Sequence, residues 1–151
     1  MASLALKGEQ QEIALAETRA VESHAADPAY REELAAVIAA IEAGELPVEQ
    51  AEGLGRVLEL SLQAGRVRAL YGPGGEQAAL RLYRKLPAGA AVAASTAEVS
   101  RALGALAGRP LESIALSAVG PGAFSLSLVA GGAQLSVRLD RQGARLASVG
   151  V

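Results

Sequence analysis

Side chains able to bind charged groups are concentrated in the middle of this chain. One segment carries five basic residues within twenty positions, namely Arg66, Arg68, Arg81, Arg84 and Lys85. Guanidinium and ammonium groups at this density bind carboxylates, phosphates or acidic protein surfaces. Nucleic-acid binding sites add aromatic side chains on which bases stack, and only Tyr71 and Tyr83 lie near this segment. The pattern therefore favours an acidic protein surface as partner and disfavours nucleic acid.

A glycine-rich loop lies inside the same segment and is a candidate anion site. The chain reads Tyr71-Gly-Pro-Gly-Gly75, and the backbone N–H groups of Gly72, Gly74 and Gly75 can face an anion at the start of the next helix. The loop lacks the Gly-Lys-Ser/Thr ending of a nucleotide-binding phosphate loop, and Glu76 would repel a phosphate. The alternative is a plain turn between two helices.

Residues for catalysis or metal binding are few. The chain has no cysteine, which excludes disulfides, thiolate catalysis and cysteine-ligated zinc. The single histidine, His24, has no acidic residue placed to hold it beside a serine. The glutamates between Glu32 and Glu52 fit the polar faces of two helices better than a metal cluster. We expect no metal and no cofactor, and non-catalytic function is favoured over a carboxylate-pair enzyme, the alternative that stays open.

The composition limits which side chains can form the core and indicates the cellular compartment. Hydrophobic residues make up 51% of the 151 residues but aromatic residues only 3%, so the core must be aliphatic. The length suits one domain or a small domain with a helical arm. The first residues lack the basic and apolar regions of a signal peptide, and no stretch reads as a membrane span. The expected location is the cytoplasm.

The net charge of −2 conceals an uneven distribution. Residues 1–62 carry four basic and twelve acidic residues, a net charge of −8, whereas residues 63–151 carry ten basic and four acidic residues, a net charge of +6. Halves of opposite charge attract each other within a chain or between copies. This split favours a homo-oligomer or an acidic protein partner, and the alternative is that helices simply collect glutamate.

The hydrophobic periodicity predicts helices in the first part of the chain. Residues 1–26 are weakly patterned and are predicted as a weakly ordered or helical arm. Residues 27–87 are predicted to hold three helices, at about 28–43, 47–69 and 76–86. The first of these has the clearest ends, because Asp27 and Pro28 suit a helix start and Gly44 suits a helix end. Short connections predict that the first two helices form an antiparallel hairpin.

Residues 88–151 are predicted as a sheet domain packed with the helices. A short strand at 90–94 is followed by a helix, with Ser95 and Glu98 as its capping box, and then by four alternating strands. Gly131-Gly132 is predicted as a hairpin turn, and the last strand is expected to contain a bulge. The predicted fold class is α+β, in which a helical hairpin region precedes a β-α-β4 unit with an antiparallel meander of four to five strands.

The second face of that predicted sheet suggests a function. It is lined by small residues that include Ser125, Ser127 and Ser136, whereas a solvated face would carry charged residues. Small side chains let another layer of protein approach, so we expect the helical hairpin or a second subunit to cover this face; the alternative is an ordinary solvated face that is rich in serine. The function favoured is that of an assembly or accessory protein. The alternative is a module that holds a small apolar or anionic ligand between sheet and helices.

Overall fold

The computed structural model describes residues 2–150, and the chain divides into two compact units, Met1–Ala90 and Ala91–Val151. In the first unit helices predominate, and the second contains a four-stranded antiparallel sheet. The predicted α+β class, with helices preceding an antiparallel sheet, is therefore confirmed.

The first unit begins with a short strand, β1 (Ser3–Ala5), and a helix, α1 (Gly8–His24). The region predicted as a weakly ordered or helical arm is thus mostly a regular helix. Ile13 and Ala14 are 2% and 0% exposed because the helices that follow pack against α1. Its apolar stripe is too poor to hold an isolated helix, so these tertiary contacts stabilise it.

The helix predicted over 28–43 is confirmed as α2 (Pro28–Ala43). The carboxylate of Asp27 accepts the backbone N–H of Ala29 at 3.1 Å, and Gly44 ends the helix with a φ of 76°. A strand, β2 (Glu45–Pro47), follows and pairs antiparallel with β1. This small sheet was not predicted, because three-residue strands carry too little pattern to detect.

The helix predicted over 47–69 is wrong in its extent. The chain forms α3 (Val48–Gln63) and then α4 (Arg66–Lys85), with Gly65 between them at a φ of 72°. A glycine adopts this left-handed conformation at little cost, so Gly65 ends one helix and allows the next to start. The helix predicted over 76–86 is the second part of α4. The predicted break before it is confirmed as a kink at Gly72, whose non-helical backbone, with φ of 74° and ψ of −177°, separates the two helical segments of α4.

The core of the first unit is aliphatic, as the composition predicts. α1 packs against α2, α3 and α4, and α3 packs against α2 and α4. The largest side chains at the centre are less than 2% exposed: Leu34, Ile41, Leu46, Leu54, Leu58, Leu82 and Leu86.

The prediction of a strand at 90–94 is wrong, because these residues belong to a helix, α5 (Pro87–Gly104). Proline suits the first turn of a helix, and the alanines that follow have the highest helix propensity. Ser95 is therefore inside the helix and not its cap. Its hydroxyl donates to the backbone carbonyl of Val92 at 3.0 Å.

The second unit contains the predicted meander, in the order β3-β4-β5-β6. The strands are β3 (Leu111–Gly120), β4 (Ala123–Ala130), β5 (Ala133–Asp140) and β6 (Gly143–Gly150). The hairpin turn at Gly131-Gly132 is confirmed, with φ of 56° and 81°. The expected bulge in β6 is also confirmed. Leu135 pairs with Val149 and Val137 with Leu146, so the extra residue, Ala147, returns both β6 side chains to one face.

Candidate functional site

One face of the four-stranded sheet is apolar, and its burial decreases from β5 to β3. Leu135 and Val137 of β5 are 3% and 1% exposed, and Val99 of α5 packs against them. Ile114 and Leu116 of β3 lie in the same two cross-strand rows but are 57% and 64% exposed. Because α5 packs over β5 and β3 is the edge of the sheet, the second unit leaves the apolar side of β3 uncovered. Exposed apolar side chains in a group are typical of an interaction surface.

The opposite face carries the predicted serines. Ser127 pairs with Ser136 across β4 and β5, and their hydroxyl oxygens lie 3.3 Å apart. Ser125 lies one row away, opposite Arg138. All three serines are half-buried, and α5 packs on the other face of the sheet. Coverage of the serine face by another layer of protein remains a prediction.

Two arginines extend the serine face at the turn between β5 and β6. Arg138 and Arg145 are cross-strand partners, and both form ion pairs with the carboxylate of Asp140. The backbone N–H of Gln142 also donates to Asp140, at 2.9 Å. This hydrogen bond and the two guanidinium groups lower the pKa of Asp140. Arg138 and Arg145 are therefore already paired with a carboxylate of their own turn.

The five predicted basic residues lie on the two sides of the kink in α4. Arg66 and Arg68 lie in its first turn, before Gly72. The other three lie in the last two turns: Arg81, Arg84 and Lys85. Arg68 forms an ion pair with Glu76 at 3.4 Å, whereas residues 2–150 contain no ion pair with those last three.

The glycine-rich loop forms the kink of α4. Gly72 has the non-helical backbone, and a side chain at Gly74 would meet open space. Gly75 is buried, and a Cβ atom there would lie 2.3 Å from the Cβ atom of Tyr71. Gly75 therefore makes room for Tyr71. An anion at this loop stays a prediction.

A buried carboxylate in α1 is the centre of a polar cluster in the first unit. Glu17 is 1% exposed and accepts hydrogen bonds from three side chains. Its Oε2 accepts from the Ser61 hydroxyl at 2.9 Å and from Nε of Arg66 at 2.8 Å, and its Oε1 accepts from the Tyr71 hydroxyl at 2.8 Å. α1, α3 and α4 meet at these bonds. Arg66 is the predicted basic residue that the structure places in this cluster.

The cluster keeps the phenol of Tyr71 protonated. Burial, the hydrogen bond to Glu17 and the negative charge of Glu17 raise the pKa of Tyr71 to about 12, while the charge of Arg66 opposes this rise. Tyr71 thus remains a hydrogen-bond donor at neutral pH, which suits a structural role and not that of a general base.

A cavity of about 470 Å³ opens beside this cluster, among α1, α2 and α3. Its walls are small or apolar, and its polar side is formed by Glu17, Ser61 and Arg66. Leu60 lines the cavity and is 60% exposed. His24 also lines it, and its Nδ1 donates to the carbonyl of Ala20 at 2.9 Å.

Glu17 is not among the predicted site residues, although the sequence contains a signal for it. Glu17 follows Ile13 by four positions and precedes Val21 by four, so it lies on the apolar stripe of α1. A charged residue inside such a stripe indicates a buried and paired group. Its partners Ser61 and Tyr71 are 44 and 54 residues away in sequence, and no local pattern links them to it.

Residues 2–150 contain neither a clustered metal site nor a membrane-spanning helix. The described residues contain no group of three or more histidine, aspartate or glutamate side chains placed to hold a metal ion. Within the same range, no helix is both long enough and apolar enough to cross a membrane. Comparison of the chain with protein-family models, with curated proteins and with solved structures finds no match.

Proposed function

We propose that this protein is a non-catalytic assembly protein that self-associates through β3. The observation that supports this most directly is the exposure of β3. All ten of its residues are exposed, including Ile114 at 57% and Leu116 at 64%, and it lies at the edge of the sheet. An edge strand presents unpaired N–H and C=O groups that another strand can use.

The central run of β3, from Ser113 to Ala118, lacks the usual protection of an edge strand, because it contains no charged residue and no proline. The charged Glu112 and the two register shifts of β3 lie at the ends of the strand, outside this run, whereas the protection of β6 lies within its paired residues. The other edge strand, β6, is protected by the charge of Arg145 and by the bulge at Ala147. This difference favours β3 over β6 as the site of association.

The sequence of β3 is suited to pairing with a second copy of itself. Ser113-Ile-Ala-Leu-Ser117 is nearly symmetric about Ala115 in residue type and size. In an antiparallel pair centred on Ala115, Ile114 of one copy lies opposite Leu116 of the other, and Ser113 lies opposite Ser117. Such a two-fold contact is closed, so it gives a dimer with a continuous eight-stranded sheet and not a fibre.

The apolar face supplies energy for this contact. In the dimer, Ile114 and Leu116 of each copy pack side by side against those of the other and lose part of their contact with water, at about 25 cal/mol per Å² of apolar surface. Association costs several kcal/mol in lost freedom. This short contact therefore predicts a dimer of micromolar and not nanomolar affinity. The acidic protein partner and the cytoplasmic location remain separate predictions.

The test is the mass of the protein in solution, measured by analytical ultracentrifugation over the micromolar range. The mean mass is expected to rise with concentration from near the 15.2 kDa of one chain toward twice that value. In Ala115→Lys, two lysines face each other at the two-fold axis, so we expect a monomer. Ala147→Lys is the matched control, because Ala147 is also an exposed alanine on an edge strand, and this variant should stay dimeric. A wild-type monomer throughout this range, or equal loss of the dimer in both variants, would refute the proposal.

A further inference from the structure

The cavity among α1, α2 and α3 has the size and lining of a small-molecule site. Its volume of about 470 Å³ lies within the range of roughly 300–1,000 Å³ found for such sites. Ala20 and Ala64 keep it open because their side chains are short, and Leu60 exposes 60% of its surface beside them. An apolar molecule in the cavity would cover this leucine.

The polar side of the cavity includes a charged group with free donors, the outer edge of Arg66. Nε of Arg66 donates to Glu17, whereas within residues 2–150 its two terminal nitrogens form no hydrogen bond with another side chain. The Arg66 side chain is 50% exposed. A guanidinium group can bind a carboxylate through its two terminal nitrogens while Nε holds another acid.

The same cluster disfavours a cation as ligand. Glu17 is the one carboxylate in the cavity lining, and both of its oxygens already accept hydrogen bonds, from Ser61, Arg66 and Tyr71. An amine would have to displace one of these donors from a side chain that is 1% exposed. Charge complementarity therefore favours an anion.

We propose that this cavity binds a small amphiphilic monoanion, whose apolar chain or ring lies against Leu60 and the wall alanines while its carboxylate binds the terminal nitrogens of Arg66. This site is separate from the β3 contact, so the two proposals can fail independently.

Calorimetric titration with three probes of equal chain length tests the ligand class. We expect octanoate to bind, octanol to bind about tenfold more weakly because it lacks the charge-assisted contact, and octylamine to show no binding. Absence of octanoate binding at millimolar concentration would refute the proposal, and so would equal affinity for all three probes.

Two variants test the place of binding. Arg66→Lys keeps a positive charge near Glu17 but removes the two-nitrogen edge, so it should bring octanoate affinity down to that of octanol. Arg68→Lys is its matched control, since Arg68 does not line the cavity, and it should bind octanoate as the wild type does. Ala20→Leu fills the cavity and leaves Arg66 in place, which covers the case that Arg66→Lys fails to fold. Octanoate affinity unchanged in Ala20→Leu, or lost equally in Arg68→Lys, would overturn the assignment.

Discussion

At the scale of the residue, Glu17 connects three helices through side-chain hydrogen bonds. A buried carboxylate is stable only when its oxygens are paired, because the loss of hydration costs several kcal/mol. Ser61, Arg66 and Tyr71 provide this pairing. Ser61 is itself 3% exposed, so the same bond also satisfies a buried hydroxyl. The cluster therefore fixes how α1, α3 and α4 meet.

Removal of one hydroxyl from this cluster should be measurable. Tyr71→Phe leaves Glu17 with one donor fewer, and we expect the free energy of unfolding at neutral pH to fall by about 1–2 kcal/mol. Tyr83→Phe is the control, since burial also raises the pKa of Tyr83 but no hydrogen bond joins its hydroxyl to a described residue. This control should change stability by less than ~0.5 kcal/mol. Urea unfolding measures both variants, and equal effects would contradict the role of the bond to Glu17.

The pH dependence of the same variants has a defined sign. Because the pKa of Tyr71 rises from 10.0 to about 12 on folding, its contribution is complete below pH 10 and is lost as the pH rises through 12. Wild-type stability should therefore decline in this window, and Tyr71→Phe should decline less steeply. Tyr83→Phe should still show the loss of stability that the ionisation of Tyr71 causes in this window. A decline of the same slope in Tyr71→Phe and in the wild type would contradict the assignment.

At the scale of the element, α4 depends on two neighbouring glycines with different surroundings. Gly75 lies against Tyr71 on the buried side of the kink, whereas Gly74 is exposed. Tyr71 is the last residue before the kink at Gly72, and its hydroxyl donates to Glu17. The loop that the sequence predicts as a break therefore does separate two helical segments, and its Gly75 also makes room for Tyr71.

Substitution of these two glycines by alanine should give opposite results. In Gly75→Ala the new Cβ atom would lie 2.3 Å from the Cβ atom of Tyr71, so the backbone must shift. We expect a loss of at least about 2 kcal/mol in the free energy of unfolding. Gly74→Ala meets open space in a helical position and should be neutral or stabilising by up to ~1 kcal/mol. Thermal unfolding followed by circular dichroism distinguishes them, and a stable Gly75→Ala variant would contradict the close approach.

At the scale of the whole molecule, the two compact units have separate cores. The large clusters of the first unit contain only residues up to Leu86, and the cluster of the second contains residues from Val99 onward. The second unit has one helix on a four-stranded sheet, which is too little to cover both faces. Its stability is therefore expected to depend on contacts made by β3, as the proposed dimer provides.

Core substitutions should then act within their own unit. Leu58→Ala removes a side chain that is 0% exposed, at an expected cost of 2–5 kcal/mol, and should speed amide hydrogen exchange in the helices of the first unit by about thirtyfold or more. Val137→Ala, at a site 1% exposed, should speed exchange in β3 to β6 instead. Hydrogen exchange read by mass spectrometry measures both. Equal acceleration throughout the chain in either variant would show one cooperative body.

The sequence by itself determined the features that depend on neighbouring residues. Asp27, Pro28 and Gly44 define α2, Gly131-Gly132 defines a hairpin turn, and alternation defines the four strands, with a bulge in the last. These signals are local, because caps, turns and strand pleat are decided within a few positions. The strand predicted at 90–94 failed for a local reason too, since an alanine run fits a helix better than a strand.

Tertiary structure alone decided which polar and apolar groups are buried. Glu17 meets Ser61 and Tyr71 across 44 and 54 residues, and the exposure of β3 depends on α5 packing over β5 instead. The point at which α3 ends also depends on such contacts. A glycine such as Gly65 can either continue or end a helix, so the sequence alone did not show that the helix predicted over 47–69 would end at Gln63. Burial is a property of contacts between distant segments, and for that reason the cavity beside Arg66 and the open edge at Ile114 could not be predicted from the sequence.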